Sequence, residues 1–152
     1  MNEWTPWHEI DKAKSPTGPL DDFGIYQIRI VNVSGAPIPI SRFCRIDADG
    51  LIYIGRSGFR RQQNHRTIAN RIREFTQLQH SGGITYDRIK PLLQHHPQFA
   101  DHRLQVRGCF LEDGQIKAAE TQLLSDYLAT YGELPPCNSS LPQTIAGDDG
   151  PQ

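Results

Sequence analysis

The sequence predicts an α+β domain in which a small, mainly antiparallel three-stranded sheet is flanked by helices. Three observations lead there. "FGIYQIRIVNV" and "HRLQVRGCFLEDG" read as strands, the first with apolar and polar residues in alternation. An Asp-Ala-Asp-Gly tetrapeptide ending at Gly50 supplies the turn between two more strand-like runs. Two longer stretches carry apolar residues at the helical period, one following Asn64 and one ending before Gly132.

Taken in order, residues 1–22 are rich in proline and charge, hold Trp4 and Trp7, and read as an arm that packs locally. The folded domain is expected over 23–142, with 143–152 as a flexible tail. In the first strand Tyr26, Ile28 and Ile30 share one side, with Gln27 and Arg29 on the other, so a half-buried strand is expected. Pro37 and Pro39 then exclude a central strand. "SRFCRIDADGLIYIGRS" reads as strand, turn, strand, which inserts an extra strand-like piece before Tyr53-Ile54-Gly55. From Asn64 as N-cap, Ile68, Ile72, Phe75 and Leu78 share a helix face that "HSGG" ends. "YDRIKPLLQHH" predicts a short helix starting or kinking at Pro91. After the last strand, Ile116, Leu123, Leu124, Tyr127 and Tyr131 form the apolar arc of a long helix. "ELPPCNSSLP" begins the closing coil.

Composition bounds the function classes. With 37% hydrophobic and 22% charged residues among 152, one ordinary globular domain is expected. The opening residues hold no apolar stretch fit for a signal sequence, and no uncharged run approaches the roughly 18 residues of a membrane span, so a cytoplasmic protein is expected. Cys44, Cys109 and Cys137 form no CxxC pair, and Cys44 and Cys109 read as core residues of strands. A formal net charge of −1 argues against indiscriminate coating of nucleic acid. Between residues 56 and 73, however, stand Arg56, Arg60, Arg61, Arg66, Arg71 and Arg73 with no acid among them, which predicts either a local positive face or a solvated helix surface.

Two charged residues sit where apolar ones belong. Glu120 falls in the middle of the last helix's apolar arc. With Ile68 at 0° and about 100° per residue, Arg71 lies at about −60° beside Phe75 at about −20°, whereas Arg66 and Arg73, at about 160° and 140°, are expected to face solvent. Buried charges are costly unless partnered. Arg71 and Glu120 therefore read either as a structural bridge to each other or as two walls of a cleft, where a guanidinium grips phosphate and a carboxylate holds a divalent cation.

"GIY" at 24–26 and "YIG" at 53–55, followed by Arg71 in a first helix, Glu120 in a later one and Asn138 in "GELPPCN", resemble the signature of the GIY-YIG nuclease superfamily over roughly residues 23–142. The resemblance implies an αββααβα-type domain and an endonuclease that hydrolyses phosphodiester bonds in DNA with Mg²⁺ or Mn²⁺. It implies Glu120 as the metal ligand, Tyr26 and Tyr53 side by side near the scissile phosphate with Tyr26 as the proposed general base, Arg71 and Arg56 against phosphate charge, and Asn138 fastening the tail. Arg60, Arg61, His65 and Arg66 would join Arg56 and Arg71 in contacting the DNA. Phe75 stands where many relatives carry His or Tyr; His80 or His65 could substitute, or each could be a surface histidine. With no zinc finger or helix-turn-helix evident, target choice would come from loops, a homodimer, a partner protein or DNA structure. The alternative on the same fold is a nucleic-acid-binding module without turnover.

Overall fold

The computed structural model describes residues 2–140; the tail expected at 143–152 lies outside the described residues. The chain opens with β1 (His8–Glu9) and the single-turn α1 (Ile10–Ala13), then β2 (Gly24–Val31), β3 (Ile40–Ser41), β4 (Ile46–Asp47) and β5 (Leu51–Arg56). α2 (Ile68–Thr76), α3 (Ser81–Leu93), β6 (Arg103–Phe110) and α4 (Asp113–Tyr131) follow. The fold is thus α+β. Its main sheet is antiparallel with strand order β1-β6-β2-β5, and β3 and β4 form a separate two-stranded hairpin.

The sheet has four strands where the sequence predicts three, because the arm supplies one. His8 pairs with Val106 and Glu9 with Gln105, while Ala13 and Leu20 are fully buried. The arm also explains why the polar side of β2 is not wet. Trp4 and Trp7 lie against Arg107 at 4.6 and 4.7 Å, and Trp7 lies under Arg29 at 4.2 Å. Arg107 Nε donates to Gln27 Oε1 at 2.8 Å, so Gln27 is only 5% exposed. The expectation of a half-buried strand fails because indole faces and hydrogen bonds cover the polar side chains.

One face of the sheet packs Tyr26, Ile28, Ile30, Leu104 and Val106 against α1, α2 and α3 through Ala13, Ile68, Ile72, Phe75 and the partly buried Tyr86 and Ile89. The other packs Leu51 and Ile54 against Leu124 and Tyr127 of α4. Among the described residues no helix is long and apolar enough to cross a membrane.

Several local expectations shift. Asp-Ala-Asp-Gly does turn the chain, with Gly50 at φ +65°, but it does not join paired strands. β4 pairs with β3, and β5 returns to pair with β2, because the apolar side chains of β5 fill both faces of the main sheet. Cys44 lies exposed near the tip of the β3–β4 hairpin, where its N–H donates to Tyr131 O; Cys109 and Cys137 are buried.

The cap of α2 is Thr67, whose side chain accepts from Asn70 N at 3.2 Å, three residues after the expected Asn64. The helix ends at Thr76, so Leu78 lies beyond it at φ +59° and is 47% exposed instead of buried. "HSGG" is a stop and also a start. His80 caps α3 by accepting from Gly82 N at 3.0 Å, and Pro91 falls in that helix's last turn.

Candidate functional site

The site forms around the end of β5, where both helical layers reach the sheet's edge. Tyr26 pairs across from Gly55, and Ile28 from Tyr53. The two tyrosine rings, 5.9 Å apart, therefore lie on one face. Gly55 has no alternative there, since a Cβ would stand 2.6 Å from Tyr26 Oη and 2.6 Å from Tyr53 Cε1. The glycine of "YIG" makes room for both tyrosines.

A polar cavity of about 350 Å³ opens here, its lining including Tyr53, Arg56, Phe59, Arg66, Arg71 and Glu120. The loop between β5 and α2 is tied to the start of α4: Asp113 accepts from the backbone N–H groups of Arg60 and Arg61 at 2.8 and 3.0 Å. That tie brings Arg56 within 3.6 Å of Glu120, about two turns along α4. Arg60 is spent on this anchoring, with bonds to Asp22 at 2.9 Å and Leu111 O at 2.5 Å. Arg61 stacks on Phe59 at 4.4 Å. His65, at φ +49°, is exposed and outside the cavity lining.

Glu120 is partly buried and only loosely paired. Its nearest cation, Arg56 Nε, lies at 3.6 Å, beyond hydrogen-bond reach, and its carboxylate accepts no hydrogen bond among the described residues. Burial raises its pKa, opposed by Arg56 and then Arg71. Arg71 does not bridge to Glu120. Its Nη1 lies 2.5 Å from Oε2 of Glu74, which also binds Arg66 at 3.1 Å. Arg66, which precedes the helix, is exposed as expected; its guanidinium also reaches Glu74 and lines the cavity.

The sequence reading missed Glu74 and left His80 open between a site group and a surface group. Glu74 has a legible signal, the i,i+3 spacing from Arg71. His80 had none, because nothing local shows that the chain before α3 tucks under the sheet. It is 5% exposed, with Nε2 at 3.1 Å from Tyr53 Oη and 3.4 Å from Tyr26 Oη. Nδ1 accepts from Gly82 N, so in the neutral ring Nε2 carries the proton and donates to the phenols. Burial first, then Arg71, lowers the His80 pKa to about 4. Burial raises both tyrosines, with Tyr53 the next cause for Tyr26 and Glu120 the next for Tyr53; Arg71 opposes both shifts.

The depressed His80 pKa has a stability consequence. Between about pH 4 and its ordinary value of 6.5 the unfolded chain binds a proton there that the folded protein does not. Stability therefore falls as pH drops through that window. Urea unfolding from pH 7 to pH 4 is expected to show this loss in the native protein and a smaller one in His80→Gln; equal losses would assign it to another group.

Asn138 clamps the exposed edge of β5. Its Oδ1 accepts from Ile54 N at 3.0 Å and its Nδ2 donates to Ile54 O at 2.9 Å, while Cys137 N donates to Ile52 O at 2.8 Å. The closing coil thus covers an edge that would otherwise offer free peptide groups beside Tyr53. Asn138→Ala is expected to cost about 2–3 kcal/mol in urea unfolding, from two unmet peptide groups. A loss under about 0.5 kcal/mol would mean that water replaces the amide without penalty.

Among the described residues no three His, Cys, Asp or Glu side chains gather into a metal site. Glu120, the one carboxylate in the cavity lining, is the residue that could hold a hydrated cation there, since Mg²⁺ keeps several waters and commonly takes one or two carboxylates together with substrate phosphate. No family model, curated protein or solved structure matches this chain.

Proposed function

We propose that this protein is a divalent-metal-dependent endonuclease that hydrolyses phosphodiester bonds in DNA, and that the GIY-YIG nucleases are the family it resembles. The observation that carries the reading is Glu120: a partly buried carboxylate with one long ion pair, lining the same polar cavity as Arg66 and Arg71, with Tyr53 in the wall and Tyr26 behind it. The order α1, β2, β5, α2, α3, β6, α4, with β1 and the β3–β4 hairpin as additions, supports it by following the order the resemblance implies.

Glu120 would hold Mg²⁺ or Mn²⁺, which when bound would act as a Lewis acid at the phosphate and acidify a bound water. The chain's own groups do the rest. Arg71 and Arg56 meet the negative charge that grows on the phosphate oxygens as water attacks phosphorus and the ester bond to the leaving oxygen breaks. Tyr53 lines the cavity, whereas Tyr26, fully buried, does not. Either phenol can accept the water's proton only as phenolate, which burial opposes and which Arg71 and the His80 Nε2–H favour. His80 acts here as a donor that holds the phenols, since its Nδ1 is already taken by Gly82 N–H.

The raised tyrosine pKa values and Phe75 favour the second reading, a DNA-binding module on this fold without turnover. Plasmid nicking at low salt with Mg²⁺ or Mn²⁺, against an EDTA control, decides between them. Metal-dependent nicks are expected; DNA binding without them would establish the module.

A further inference from the structure

One carboxylate in this site serves two arginines. Glu74 Oε2 lies 2.5 Å from Arg71 Nη1, and its Oε1 and Oε2 lie 3.1 and 3.3 Å from Arg66 Nη2. The Glu74 side chain is 15% exposed and does not line the cavity, whereas Arg66 and Arg71, 46% and 23% exposed, both do. Glu74 therefore stands behind the wall and the guanidinium groups form its surface. Two cations against one anion leave a surplus positive charge facing the cavity. Nε and Nη2 of Arg71 and Nη1 of Arg66 make no hydrogen bond among the described residues.

We infer that Arg66 and Arg71, yoked by Glu74, form a single clamp for one backbone phosphate, with Glu74 as the positioning residue that sets the angle between the two guanidinium groups. The inference rests on the reading that this cavity takes a nucleic-acid phosphate. A diester phosphate has two non-bridging oxygens and one negative charge, which match the free N–H donors and the surplus charge of the pair. The Arg71–Glu74 pair is partly buried, where desolvation offsets much of the Coulomb attraction, so stability alone is a weak reason for the network. The chain geometry supports the yoke. Arg66 lies before the Thr67 cap, where the backbone has left the helix, and Arg71 lies in α2 itself. Two arginines from differently directed backbone converge only because Glu74, one turn beyond Arg71, receives both.

The test reads binding apart from chemistry. Affinity for a short fluorescein-labelled DNA duplex is measured by anisotropy in EDTA at low salt, for Arg66→Ala, Arg71→Ala and the double variant, each in the native and the Glu74→Gln background. Thermal unfolding confirms that each variant folds. In the native background each single change is expected to weaken binding by about tenfold, and the double by clearly less than the roughly hundredfold product, because both groups grip one phosphate. In the Glu74→Gln background the effects should multiply, while overall affinity stays level or rises with a steeper salt dependence, since a negative charge beside the DNA is gone. Glu74→Asp, which keeps the carboxylate, should retain part of the coupling and serves as the background if Glu74→Gln unfolds.

Multiplicative effects in the native background would overturn the clamp, and coupling that persists undiminished without the carboxylate would overturn the role of Glu74. Native protein that binds DNA through this coupling yet never cleaves it would overturn the nuclease reading alone. Native protein that does not bind DNA would overturn both.

Discussion

Glu120→Gln is expected to lower metal-dependent DNA cleavage by about 10²–10³-fold while leaving the protein folded and raising its melting temperature at neutral pH. Glutamine keeps the size and hydrogen-bonding shape of the side chain but removes the charge that a divalent cation needs. The stability gain follows from the same burial. The folded protein holds the Glu120 proton more tightly than the unfolded chain does. As pH rises from the ordinary carboxylate value near 4.5 through the raised folded value, the unfolded state loses its proton first and stability declines. Above the raised folded value that loss is present in full, and glutamine avoids it. Nicking assays and thermal melts at pH 4 and pH 7 check both halves. A melting temperature that falls at pH 7 would mean that Arg56 more than offsets the burial of Glu120 and that the group is structural. Unchanged cleavage would remove Glu120 from the reaction.

Asp47→Ala is expected to destabilise the protein by about 3–5 kcal/mol, on the order of 10 °C in melting temperature. Asp47 is fully buried and accepts three hydrogen bonds: from Tyr127 Oη at 2.7 Å, Leu51 N at 3.2 Å and Asp49 N at 2.9 Å. Alanine leaves all three donors without their acceptor, in a place where Leu51 and Tyr127 exclude water. Tyr127 lies on α4 about two turns beyond Glu120, so this bond fixes the helix that carries the carboxylate to the turn leading into β5. Tyr127→Phe, which removes one bond only, should cost about 1 kcal/mol. Equal unfolding midpoints for Asp47→Ala and the native protein would show that α4 is held by packing alone.

Much of the architecture was legible because side-chain period reports backbone geometry directly. The alternation around Ile28 and Ile30 fixed β2, and the arc of Ile116, Leu124 and Tyr127 fixed α4 together with the odd inward position of Glu120. The inward angle of Arg71 was legible for the same reason. Arg66 is exposed as its angle implies, but its reach back to Glu74 was not legible, because it precedes a helix that begins only at Ile68. Cys44 was misjudged because a strand-like run can pair as an isolated hairpin whose tip faces water. The fourth strand was invisible because β1 is two residues long, too short to show a period, and exists only through its pairing with β6.

By itself, then, the sequence determined most of the helix and strand segments and the two charges on apolar faces. These follow from periodicity and local sterics, which act within a few residues. Only the tertiary structure decided the partners. Glu120 faces Arg56 instead of Arg71, Arg71 and Arg66 share Glu74, His80 lies under both phenols, and Asn138 closes β5 from 84 residues away. Each of those pairings is set by where layers of the fold meet. Electrostatic and hydrogen-bond partners are chosen by distance in space, and no local pattern along the chain encodes that distance.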